Sequence, residues 1–202
     1  MRTRLIGTVV ATAALALPMA AQAPSAAATT LPDATPSALA SVHRHQATAA
    51  ATRQSPVAAA RDATRRFRSF RTAKHHGYGL FKDADGIACI AMPGMGAMGI
   101  HFVNGSLVGT PNVQLKHPEA LVYARENGHR RLVALEYVVL RKAWNKEHGR
   151  NAPRPRLYGQ RFNFAPAGNR FGLPPFYSLH AWIWKHNPAG RFAMFNPAVH
   201  CG

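Results

Sequence analysis

From residue 84 onward the apolar positions come in short runs, each broken within a few residues by Gly, Pro or Asn. Such runs suit strands, whereas an amphipathic helix needs a sustained period of 3.6. The pattern predicts strands at 87–91, 99–103, 119–124, 132–140, 177–184 and 191–195. The clearest local unit is a hairpin in PEALVYARENGHRRLVALEYVVL, where Asn127-Gly128 suits a type I′ turn because both central positions need positive φ. Counting outward from that turn sets Tyr123 opposite Leu132, Leu121 opposite Ala134 and Glu119 opposite Glu136. The predicted fold is mainly β over 84–202, a small antiparallel barrel or sandwich, with an α+β arrangement as the alternative.

Upstream of residue 84 the strand pattern lapses. MRTR and the apolar run at 5–17 form a cationic start and a core too short for a stable span, which reads as a secretory signal over 1–28. The mature chain is expected to be secreted, extracellular or wall-associated, without a transmembrane segment. Residues 29–83 are rich in Ala, Thr, Ser, Pro and Arg, with hardly any large apolar side chain before Phe67. They predict a disordered basic arm, because little burial is on offer to offset chain entropy. Near its end Ala63, Phe67 and Phe70 fall at i, i+4 and i+7 among Arg61, Arg65, Arg66, Arg68, Arg71 and Lys74. This allows an amphipathic helix for an anionic surface or, more simply, a solvated basic linker.

Charge narrows the partners. The chain holds 25 Lys plus Arg against 8 Asp plus Glu, so anionic wall polymers and anionic lipid headgroups are the natural polyionic partners. No helix-turn-helix, zinc-finger spacing or RNP-type motif is present, and sequence-specific nucleic-acid reading is not expected. The two cysteines, Cys89 and Cys201, bracket nearly the whole domain. Export makes a disulfide between them the expected state.

The hairpin register raises the chemistry. Two glutamates facing each other across an antiparallel pair repel, so Glu119 and Glu136 call for a cation, a shared proton or basic neighbours. His101 in GIHFV and His180 in YSLHAWIW stand on predicted strands, the latter on one face with Trp182 and Trp184, while Leu179, Ala181 and Ile183 face the other way. Imidazole and carboxylate ligands from adjacent strands suit Zn or Mn. The candidate metal set is therefore His101, Glu119, Glu136 and His180. Tyr123, Gln160 and Trp182 are expected to line the pocket, with the polar stretch 141–155 as a mobile loop over its mouth.

Other chemistries are weaker. Met92, Met95, Met98 and His101 recur every third residue and would suit Cu(I) if they converged; the alternative is methionine filling an irregular core edge. Gly94–Gly99, GMGAMG, matches G-x-G-x-x-G, but Gly105, Gly109 and Pro111 forbid the helix that a dinucleotide loop must open. No G-x-S-x-G elbow supports a serine nucleophile, although Ser178 shares a face with His180.

Taken together, MGIHFVN, PEALVY, LVALEYVV, YGQRF, LHAWIWKHNPAGRFAMFNP and the terminal Cys resemble an uncharacterised family of exported bacterial proteins, over about 89–201. The resemblance implies no activity, only that His101, Glu119, Glu136 and His180 belong to recurring motifs. The functional expectation is an exported domain binding a small ligand or divalent metal. The alternatives are a basic structural or adhesive module on polyanions and a metal-assisted hydrolase; whether the protein is an enzyme is left open.

Overall fold

A computed structural model describes residues 54–201; the leader over 1–28 and residues 29–53 of the expected arm lie outside the described residues. The rest of that arm is not a tail. Helix α1 (Pro56–Thr64), a 3₁₀ turn (Arg65–Arg68) and helix α2 (Phe70–His75) cross it. Ser55 and Ser69 cap the two helices by accepting from the amides of Ala58 and Thr72. Ala60, Phe67 and Ala73 are buried in the main core with Leu121, Tyr123 and Leu135. The apolar face foreseen for an anionic surface is thus spent on the protein's own sheet, which overturns both the linker reading and the domain boundary at residue 84.

Nine strands follow among the described residues. They are β1 (Gly79–Leu80), β2 (Cys89–Met92), β3 (Gly96–Val103), β4 (Ala120–Glu126), β5 (His129–Leu140), β6 (Arg156–Leu157), β7 (Gln160–Arg161), β8 (Asn163–Ala165) and β9 (Phe176–Ala181). Seven of them form one antiparallel sheet in the order β1-β3-β4-β5-β9-β8, with β2 paired to β3 as a branch, while β6 and β7 make a separate ribbon. No closing pair joins β1 to β8 among the described residues. Helix α3 (Gly105–Val108) follows β3 and helix α4 (Arg141–His148) follows β5. The stretch 141–155, expected as a mobile loop, is therefore helical over its first half, and the run 191–195 is turn and bend rather than strand.

The hairpin turn is as expected. Asn127 and Gly128 have φ of 49° and 77°, and Tyr123 pairs with Leu132. One step further the ladder slips: Val122 pairs with Ala134, leaving Val133 as the extra residue of a bulge. The Val133 carbonyl instead accepts from the amides of Trp184 and Lys185 at 3.1 and 3.0 Å. Beyond the bulge Leu121 opposes Leu135 and Ala120 opposes Glu136. A one-residue slip exchanges the faces of a strand, so the expected Glu119–Glu136 pair does not form.

The sheet separates two cores. On the helical side lie Leu121, Tyr123, Leu135, Tyr137, Leu179 and Ile183. Val122, Ala124, Val133, Ala134, Trp182 and Val199 pack as a second cluster. The chain end is drawn onto the β2–β3 edge by reciprocal hydrogen bonds between Ala97 and Asn196 and by the Cys89–Cys201 disulfide. Gly96 explains how closely this end can approach: its φ is +83°, and a Cβ there would stand 2.0 Å from the Asn196 carbonyl oxygen. The GMGAMG segment therefore serves a turn and strand, as the breakers after it foretold.

Candidate metal centre

Three strands bring the site together. Glu136 of β5 pairs directly with His180 of β9, and His101 of β3 lies across β4, opposite Val122. Alternation puts all three side chains on the sheet face away from α1 and α2. His101, Glu136 and His180 each offer a ligand atom, and these atoms lie within 4.8 Å of one another. His101 Nε2 stands 2.9 Å from Glu136 Oε2, an ion-pair distance. The approach lacks hydrogen-bond alignment, however, so that Nε2 of His101 and both ring nitrogens of His180 are buried without a hydrogen-bond partner. Buried imidazoles with unmatched nitrogens are uncommon, because an unsatisfied polar group in the interior costs about 1–3 kcal/mol.

Protonation follows from the surroundings. Burial by itself would raise the Glu136 pKa, but the adjacent His101 imidazole, the charge of His180 and the Ser178 hydroxyl outweigh it and hold the carboxyl down to about 2. Burial pushes the His180 imidazole down to about 4, with Glu136 opposing that shift and His101 adding to it. Near neutral pH the cluster presents a carboxylate and a neutral imidazole, the forms in which both bind metals. Trp182 stacks on His180 with ring centroids 4.7 Å apart and donates its indole N–H to the Ala193 carbonyl, which fixes the ring beside the site.

Glu119, the fourth expected ligand, stands elsewhere. The Val133 bulge leaves it on the helical face, where its Oε2 accepts from the Val138 amide at 3.0 Å. It is 1% exposed; burial raises its carboxyl to about 8, against the pull of that backbone bond. A carboxyl that is neutral at pH 7 relieves any residual repulsion by carrying a proton rather than by sharing a metal.

The expected pocket residues also separate. Tyr123 points to the helices and donates to the Phe67 carbonyl at 2.6 Å, while Gln160 is exposed on the β6–β7 ribbon. The cavity that does open at the site has a volume of about 300 Å³ and includes none of Tyr123, Gln160 or Trp182. Ile90, Val103, Ala120, Val138, Leu140 and Phe176 line it from the sheet, and Phe81, Val108, Phe171 and Leu173 complete the lining. His101 and Glu136 are its ionisable lining residues. Helix α4 contributes nothing to it.

Sequence reasoning missed the far wall. Phe81 and Phe171 come from irregular segments without periodicity, joined where Arg170 donates to the buried Asp83 carboxylate at 2.6 Å. That hydrogen bond to Arg170 holds Asp83 below the usual carboxylate range. The methionine ladder does not converge: Met98 is buried beside Ile90 and Phe195, whereas Met92 and Met95 are about half exposed. Trp184 leaves the face of Trp182 because β9 ends at Ala181; it packs on the helical side and donates to the Thr64 hydroxyl.

In comparisons with known proteins, no family model, no curated protein and no solved structure matches the chain.

Proposed function

We propose that the protein is an exported domain that binds one divalent metal ion, Zn or Mn, through His101, Glu136 and His180. The observation that carries this reading is the meeting of three potential ligand atoms within 4.8 Å, from three different strands, at a buried place where both nitrogens of His180 lack a partner. Two imidazoles and a carboxylate suit both metals. A protein triad also leaves coordination positions to a water or ligand, the feature shared by catalytic zinc sites, so a metal-assisted hydrolase remains the form an enzymatic role would take. Export is favoured by the leader-like start and is compatible with the Cys89–Cys201 disulfide. Among the described residues no helix is long and apolar enough to cross a membrane.

The test is metal-dependent stability of chelator-treated protein. Zn or Mn at 100 times its Kd should stabilise the wild type by about 2.7 kcal/mol, since the folded state alone holds the site. Glu136→Gln and His180→Ala should lose most of that gain, and Glu119→Gln should keep it. Equal gains in all four proteins would assign the binding to surface histidines and remove the proposal, as would no gain in any.

A further inference from the structure

We infer that the cavity beside the triad binds a small monocarboxylate with an apolar body, its carboxylate at the His101–Glu136 end and its hydrocarbon against Val138, Leu140 and Phe176. This rests on the proposed metal site and adds to it the class of ligand.

Cavity and strand geometry supply the argument. The lining is apolar or glycine apart from His101 and Glu136, and it encloses about 300 Å³, the lower end of the range for small-molecule sites. Glu136, Val138 and Leu140 alternate onto this one face of β5, and Phe176 pairs with Leu140 as His180 pairs with Glu136. The polar end and the apolar end are therefore separated along the strand by about 13 Å, four residues at about 3.3 Å each. A ligand that fills such a space needs one polar head and one hydrocarbon end.

The sign of the head follows from charge. A divalent ion held by one carboxylate and two neutral imidazoles leaves a net charge of about +1, which a single anionic oxygen donor balances. A second charge on the ligand would meet only apolar wall, where an unpaired ion is costly. The chain's formal charge of +17 further favours approach of an anion over a cation.

Calorimetric titration of the full chain with butanoate, hexanoate and octanoate, zinc-loaded and metal-free, tests this, with octylamine and 1-octanol as comparison ligands. Affinity for the zinc-loaded protein should rise about fourfold per methylene as the chain enters the cavity, and octanoate should bind at least tenfold more tightly than either comparison ligand. Val108→Trp, at a half-buried position on the outer wall, should fill the cavity and remove octanoate binding while the zinc-induced stabilisation persists. Zinc stabilisation without carboxylate binding, or without chain-length dependence, would overturn the ligand inference and leave the metal reading standing. Carboxylate binding that is equal with and without zinc and unchanged in Glu136→Gln would overturn the metal-anchored head. Tighter octylamine binding to metal-free protein, abolished by zinc, would assign the cavity to cations and overturn the inference as well.

Discussion

At the residue scale, the two glutamates show how much a single pleat decides. Glu136 stands beside two histidines and is held ionised, whereas Glu119 is buried on the helical side and has its pKa raised to about 8. A carboxyl raised above its unfolded value contributes stability that is fully present below the unfolded pKa, 4.5, and is lost as the pH climbs through about 8. Wild-type stability, read from urea midpoints, should therefore decline between pH 5 and 9, by a few kcal/mol at most. Glu119→Gln cannot ionise and should flatten this segment of the profile. An equal slope in the variant would place the titrating group elsewhere. Gly99 is the other decisive single residue: its φ is +89°, and a Cβ would come within 2.6 Å of Val122 Cγ1. Gly99→Ala forces both a left-handed backbone and a clash on β3, two residues from His101, and should destabilise by about 2–4 kcal/mol in the same measurement.

Among the elements, the basic helical segment changes meaning once its contacts are seen. Its arginines flank a strip in which Ala60, Phe67 and Ala73 are buried. Tyr123 reaches from β4 to the Phe67 carbonyl, and Arg61 donates to the Ile183 carbonyl. Arg130 covers the Phe70 ring at 4.6 Å. Removing residues 54–83 would strip this layer from Leu121, Tyr123 and Tyr137, delete Phe81 from the cavity wall and remove Asp83, the partner of Arg170. A chain beginning at residue 84 should therefore lose cooperative thermal unfolding, whereas one beginning at residue 54 should keep it. Phe67→Ala offers a milder probe, with an expected loss of about 3–5 kcal/mol in unfolding free energy. Cooperative melting of the shorter chain at the wild-type temperature would show the helices to be an accessory.

For the whole molecule, the disulfide links the two parts of the chain that complete the site side of the sheet. Cys89 opens β2, which carries Ile90 into the cavity wall, and Cys201 ends the segment whose Val199 and Asn196 pack against the β3 edge. The bridge spans 112 residues. Closing a loop of about 100 residues is worth about 4.7 kcal/mol in the chain-entropy account, because it removes freedom from the unfolded chain. The paired Cys89→Ser and Cys201→Ser protein should melt about 10–20 °C lower than the wild type by calorimetry. A shift of only a degree or two would mean that the Ala97–Asn196 bridge already holds the chain end.

What the sequence by itself determined was local or pairwise. Asn127-Gly128 dictated its turn through the φ it tolerates, period-two alternation put His180 opposite in face to Leu179 and Ala181, and two lone cysteines had only each other. His101, Glu136 and His180 were legible for the same reason, as polar residues placed on otherwise apolar strands. The tertiary structure decided the rest. Whether Val133 pairs or bulges depends on the competing amides of Trp184 and Lys185, some fifty residues downstream, and that choice moved Glu119 to the other face. The segment 56–75 is helical where it is because a sheet made later in the chain offers an apolar face, an energy no local window contains. The cavity wall is likewise assembled from Phe81, Phe171 and Leu173, which share no strand, helix or spacing. Short-range sterics can be read along a chain; burial and register are settled by partners distant in sequence, whose free energy appears only when the chain has folded.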